Sequence, residues 1–454
     1  MTRKRKIDAR EASLLALQRV EADDAYVNLA LDEVLSSHSL DPRDKRLAAE
    51  ITYGVITYKL TLDWLIEKVS GRPIKKLDKP IHQILRIGFY QLFYLDRVPP
   101  AAAVHATVEL VKKGKKRGLA PFVNGVMRGA LRKKEHLPWP DKKKDSANYL
   151  SVRYSHPLWL VRRWLNRYGP EETEKLVAAN NQAAPLSIRV NTLRTDRDTL
   201  LSELTAAGVE AVPSSVVPEG ALLTRSGRLT ELAPYREGRF QVQGESAMLT
   251  SRVLDPQAGD AVLDGCSAPG GKTTHLAQLM NNSGDILALD IHPHRLELVK
   301  ANCRRMGVDI VRTQCLDARE IANEKPGSFD CILLDVPCSG FGVIRRKPDL
   351  KWRRSEDDIR KLAHVQCNML QAAAAVLKPG GTLVYSTCTN EPEETDEVVE
   401  ELLKNRDDMV PDDLRPYLPQ EWQQDAGKSG IHLLPHIHGV DGFFISRLKK
   451  HKSR

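Results

Sequence analysis

The sequence predicts a multidomain α + α/β protein, with an all-helical N-terminal bundle, a small mixed α/β middle segment and a C-terminal parallel sheet covered by helices on both faces. Three observations predict it. Up to about residue 131, apolar residues recur at three- and four-residue spacing; around 150–250, short strand-like and helix-like runs mix; from 260 onward, short apolar runs alternate regularly with helical stretches. A chain of 454 residues, at roughly 100–200 residues per domain, has room for two to four domains with ample core.

The bundle, 1–131, rests on residues such as Ile81, Ile84, Leu85, Leu92 and Leu95, which fall on one helical stripe until Pro99-Pro100 breaks the pattern. A lysine-rich linker over 132–149, with Pro138 and Pro140 flanking Trp139, leads to the middle segment, 150–255. There LSIRVNTL and RFQVQ read as strands, and PLWLVRRWLNRYG and RDTLLSELTAAG as helices. In the last part, 256–454, AVLDGC, DILALD, DIVRTQC, FDCILLD and TLVYSTC are runs rich in Val, Ile and Leu, with helical stretches at 273–281, 293–306 and 356–377. This alternation signals βαβ units, and such sheets bind ligands beyond the carboxyl ends of their strands. Cys266, Asp290, Asp317, Asp335, Cys338 and Cys388 all fall at or just past those ends, so one rim carries them all.

Composition narrows the function. A formal charge of +9, clustered in KKGKKR at 112–117, RKK at 132–134, KKK at 142–144 and KKHKSR at the C-terminus, points to a polyanionic partner such as nucleic acid. No run of about 18 apolar residues occurs, which argues against a membrane span. The basic start has no apolar core of the kind a secretory signal needs, so the expected location is the cytoplasm. Seven cysteines without a C-x-x-C pair argue against a disulfide framework and a structural zinc site. His275, His292 and His294 lack ligand spacing, and no metal is expected.

The loop DGCSAPGGKT, 264–273, has two readings. A phosphate-cradling loop, G-x-x-x-x-G-K-[ST], would need glycine at Cys266, so the match misses by one position. A nucleotide-hydrolysing RNA-binding protein with FDCILLD as its magnesium strand is the alternative this near-match leaves open. Against it, Asp290 ends the second strand nineteen residues after Gly271, where a carboxylate takes the ribose hydroxyls of an adenosine ligand. An adenosine ligand without a phosphate cradle points to S-adenosylmethionine.

DGCSAPGGKT, LALD, CLDARE, DVPCSGFGVIRRKPDLKW and YSTCTNEPEETD, in this order, closely resemble the motif series of the RNA (cytosine-5) methyltransferases, and LRIGFYQLFYL with FVNGVMRGAL resembles a NusB-type RNA-binding helical domain. Together they resemble the Fmu/Sun family of bacterial small-subunit (16S) ribosomal RNA methyltransferases over nearly the whole chain. The resemblance implies a Rossmann-like catalytic sheet and S-adenosylmethionine as cofactor, bound by Cys266, Ser267, Ala268, Pro269, Gly270, Gly271, Lys272, Asp290, Asp317 and Asp335. Two positions depart from the family pattern: Gly244 replaces a usual aspartate and Ser267 a usual alanine.

The implied chemistry needs a thiol and an acid. Carbon 5 of cytosine is a poor nucleophile, and a thiolate adding to carbon 6 makes it an enamine carbon that can attack the methyl donor. An acid at the ring nitrogen assists the addition, and Asp335 fits if it holds a proton. The resemblance assigns attack to Cys388 and release of the product to Cys338. Cys303, Cys315, Cys331 and Cys367 keep the ordinary reading of inert small side chains. Lys272 is a candidate for the cofactor carboxylate or the RNA, and Arg345, Arg346 and Lys347 for RNA phosphates.

Overall fold

The computed structural model describes residues 5–137, 139–225, 229–324 and 327–451, in two compact units. The first comprises Met1–Gln182 together with Lys347–Arg353. Its centre is the helix Lys79–Tyr94, buried along most of its length because IHQILRIGFYQLF carries apolar residues on more than one face. Gly88 lets its neighbours close in: a Cβ there would lie 2.7 Å from Met127 Sδ and Thr107 Oγ1. Asp8 and Asp41 cap the helices Ala9–Ala22 and Pro42–Thr57 by accepting from first-turn amides. The unit runs past the expected boundary at 150, because the helices Ser146–Tyr154 and Leu158–Ala179 belong to it. Leu158–Ala179 is kinked at Gly169, φ 76°, followed by Pro170.

Lys347–Arg353 joins this unit from far along the chain. Asp349 accepts from the amide of Val27, Lys351 Nζ donates to the carbonyl of Thr57 at 2.9 Å, and Trp352 Nε1 donates to that of Ile56 at 2.8 Å. Lys351 is fully buried, which pulls its ammonium well below the usual lysine value.

The second unit, Ala183–Arg346 with Arg354–Arg454, holds two sheets. In the smaller, β1 (Leu186–Val190), β2 (Glu210–Pro213), β3 (Gly220–Arg225) and β4 (Phe240–Val242) pair antiparallel in the order β2-β3-β1-β4. The larger contains β5 (Ala261–Asp264), β6 (Asp285–Asp290), β7 (Val311–Cys315), β8 (Phe329–Asp335) and β9 (Leu377–Thr387), all parallel, in the order β9-β8-β5-β6-β7. These five are the runs read from the sequence. Three more strands, β10 (Met409–Pro411), β11 (Ile431–Leu433) and β12 (Phe443–Lys450), extend the β9 edge antiparallel. The helices Gly271–Leu279, Pro293–Met306 and Glu356–Val376 follow β5, β6 and β8, the last opening on a Ser355–Asp358 capping box. One apolar cluster packs on each face of the sheet, around Val262, Ile286 and Leu333 on one side and Leu263, Leu287 and Ile332 on the other. Among the described residues, no helix is long and apolar enough to cross a membrane.

Candidate active site at the carboxyl ends of the parallel strands

Strand order reverses between β5 and β8, and the sequence-predicted residues gather at and beside this switch point. The parallel register of β8 on β9 sets Asp335 beside Ser386, so DVPCSG and STCTN leave the sheet at one level. The consequence is direct: Cys338 Sγ and Cys388 Sγ are 3.1 Å apart. The hydrogen bond with Cys388, reinforced by burial, pushes the Cys338 thiol well up. Asp335 has both oxygens engaged: Oδ2 pairs with Lys272 Nζ at 2.7 Å and Oδ1 accepts from Ser386 Oγ at 2.8 Å.

The first loop is anchored from three sides. Ser267, one of the two departures, donates through both its amide and its hydroxyl to the carbonyl of Leu289 in β6, each at 2.8 Å. Gly270 takes φ +98°, where a Cβ would meet Val299 Cα at 3.0 Å, so only glycine is accommodated without displacement. Asn302 donates to the carbonyl of Pro269. From the smaller sheet, Arg189 of β1 reaches under the loop and donates to the carbonyl of Gly271 at 2.6 Å, to Thr274 Oγ1 at 2.9 Å and to Gln243. It is fully buried, and burial brings its guanidinium down to about 9. Asp264, also buried, accepts from Thr273, and burial pushes its carboxyl up to about 6.

Asp290 ends β6 and accepts from the amide of His292; Asp317, two residues past β7, accepts from the amide and guanidinium of Arg319. Cys266, Asp290, Asp317, Asp335, Cys338 and Cys388 are all partly exposed. Cys303 and Cys331 are buried inside a helix and a strand, and burial raises their thiols to about 11 and about 12. Cys315 is exposed at the end of β7, and Cys367 donates to Glu401.

Two expectations change. Arg345 and Arg346 are not free for phosphates: both pair with buried Asp441. At Gly244, the other departure, a Cβ would lie 3.1 Å from Asp441 Oδ2, so that carboxylate already occupies the ground an aspartate side chain would enter. Sequence reasoning missed Arg189, Ser386 and the buried pair His275–Glu219, with Nε2 2.7 Å from Oε1. The signal for Arg189 was there, as a charged residue inside the apolar strand LSIRV.

Known proteins match along the whole length. The family described as 16S rRNA methyltransferase RsmB/F matches residues 251–449, the RsmF/B-like ferredoxin-like domain 156–230 and the NusB family 7–132. A protein named probable ribosomal RNA small subunit methyltransferase B from Bacillus subtilis is 38% identical over 98% of this chain and 99% of its own. The chain belongs to the methyltransferase B family. Among solved structures, PH0851 is similar to this family member at a TM-score of 0.80, with 28% identity, over 99% of this chain and 100% of that one. NSun6 from Pyrococcus horikoshii, solved with SFG, follows at 0.58 and 27%, over 64% of this chain and 97% of that one. Methyltransferase B family members use S-adenosylmethionine. The rim fits that cofactor: Asp290 and Asp317, on neighbouring strand ends, are acceptors for hydroxyl and amino groups. A polyphosphate would meet those carboxylates with Lys272 already committed to Asp335, which disfavours the nucleotide-hydrolysing alternative.

Proposed function

We propose that this chain methylates carbon 5 of a cytosine in small-subunit (16S) ribosomal RNA in the cytoplasm, through a transient bond between Cys388 and carbon 6. The observation that carries the reading is the pair of thiols 3.1 Å apart beside Asp335. A single thiol would serve attack alone; two thiols in contact serve attack and release. The contact with Cys388 and burial push the Cys338 thiol up, which suits it to hold a proton until the release step.

In this reading Cys388 adds to carbon 6 while Asp335, supplied by the adjacent Lys272 ammonium, protonates the ring nitrogen. S-adenosylmethionine, held by residues 266–272, Asp290 and Asp317, supplies an electrophilic methyl group to carbon 5. Cys338 then gives its thiol proton to water and takes the one on carbon 5, the carbon 6–sulfur bond breaks back onto Cys388, and the ring nitrogen returns its proton through Asp335 to Lys272. The basic N-terminal bundle adds phosphate contacts to the RNA. Lys112, Lys113 and Lys116 are exposed and pair with the half-buried Glu109, Asp8 and Asp78, contacts that exposed lysines can exchange for phosphates.

Denaturing gels of variants incubated with a 16S ribosomal RNA transcript and S-adenosylmethionine test the assignment. Cys388→Ala is expected to give neither product nor adduct. Cys338→Ala is expected to leave RNA covalently joined to protein. A band that persists with Cys388→Ala reverses the two roles.

A further inference from the structure

Behind Cys338 lies a carboxyl group for which the reaction, as derived above, has no use. Glu394 is fully buried in the turn after STCTN, and its Oε1 accepts from the amide of Ser339 at 2.8 Å and from Gln366 Nε2 at 3.0 Å. The same Gln366 nitrogen donates to the carbonyl of Pro337 at 2.9 Å. The two peptide groups that flank Cys338 are therefore gripped by one pair of buried side chains: Gln366 holds the carbonyl before it, and Glu394 holds the amide after it. Tyr385 of β9 completes the frame, its hydroxyl donating to the carbonyl of Glu394 at 2.8 Å and lying 3.3 Å from Gln366 Oε1.

Stability alone does not account for an acid here. Glu394 has no ion-pair partner among the described residues, its Oε2 has no hydrogen-bond partner, and burial pushes its carboxyl up to about 7. Burying such a group costs free energy that an amide of the same shape would avoid. What the carboxylate offers in return is a strong acceptor for a single backbone amide, the one that fixes where the Cys338 sulfur stands. Cys388 is held differently: it lies one residue past the end of β9, and its carbonyl accepts from the amide of Gly342.

We propose that Glu394, with Gln366, is a positioning residue that holds the Cys338 sulfur against carbon 5 and so governs release of the methylated base rather than attack on it. This rests on the reading of Cys338 as the release residue. Loss of the grip lets Cys338 drift from the adduct while leaving Cys388, Asp335 and the cofactor rim in place.

The test measures covalent adduct on denaturing gels and 5-methylcytosine by mass spectrometry, with the full chain and a 16S ribosomal RNA transcript. Glu394→Ala is expected to accumulate adduct roughly tenfold over the parent protein, the equivalent of one lost hydrogen bond to a charged group, with methyl transfer in a single turnover unchanged. Glu394→Gln, which keeps a weaker acceptor for Ser339, is expected to release the base faster than Glu394→Ala and more slowly than the parent protein. Calorimetry with S-adenosylhomocysteine shows whether each variant is folded at the rim, and Gln366→Ala, which frees the Pro337 carbonyl, carries the test if Glu394→Ala does not fold. Normal release in Glu394→Ala and Gln366→Ala, alongside a stalled Cys338→Ala, overturns the proposal; so does a Glu394→Gln variant that stalls like alanine. If Cys338→Ala itself accumulates no adduct, the reading of Cys338 falls, and this inference with it.

Discussion

Replacing Arg189 by alanine is expected to destabilise the second unit by about 3–5 kcal/mol and to weaken cofactor binding, although Arg189 itself is buried beneath the loop. Three hydrogen bonds from a charged donor, to Gly271, Thr274 and Gln243, are worth about 1.5–3 kcal/mol each. Opposing them, burial lowers the guanidinium to about 9, a cost on the order of 5 kcal/mol at about 1.36 kcal/mol per tenfold. The intact arrangement therefore lies between break-even and a net gain of about 4 kcal/mol. The alanine variant does not, because it opens a void and takes the charged donor away from Thr274 Oγ1, Gln243 and the Gly271 carbonyl, the last of which keeps its bond from Thr274. Arg189→Met fills that space without the charge and should cost less than alanine. Urea unfolding gives the stability, and calorimetry with S-adenosylhomocysteine gives the affinity. A loss below about 1 kcal/mol with unchanged affinity would refute the reasoning, since it would mean that the Thr274 hydroxyl, which already donates to the Gly271 carbonyl, and water satisfy the loop without Arg189.

Asp290→Ala should weaken S-adenosylhomocysteine binding roughly 10- to 100-fold, as charged hydrogen bonds to ribose hydroxyls are lost; unchanged affinity in calorimetry removes Asp290 from the site. His275, fully buried beside Arg189, has its imidazole lowered to about 4 by burial and by that neighbouring charge. The unfolded chain takes up this proton near pH 6.5 and the folded chain resists it, so stability falls as pH drops from about 6.5 to about 4, by up to about 3 kcal/mol. His275→Gln should flatten that part of the urea-midpoint profile, and parallel profiles for variant and parent would show that other groups set the acid limit.

The parallel sheet was legible because buried parallel strands consist of consecutive apolar residues, and the chemistry sits where each run stops, as in FDCILLD and its Asp335. Register was not legible. That Asp335 pairs with Ser386, and that the thiols therefore touch, follows from which strands are neighbours. Arg345 and Arg346 read as phosphate ligands because sequence shows their charge but not Asp441, almost a hundred residues away. Glu394 drew no reading of its own from the sequence, because nothing in EPEET shows that it is buried against Ser339 and Gln366. β12 escaped notice because FFISRLKK is an antiparallel strand ending in charge, outside the βα alternation that marked the others.

The seven residues Lys347–Arg353 give the N-terminal unit a heritage that its sequence boundaries conceal. Excised at residue 182, that unit would lose the donors to Ile56 and Thr57; grafted elsewhere without the unit, the catalytic chain would carry Lys351 and Trp352 into water. The first unit is therefore not one continuous stretch of sequence, and a fragment that ends at residue 182 lacks seven of its residues.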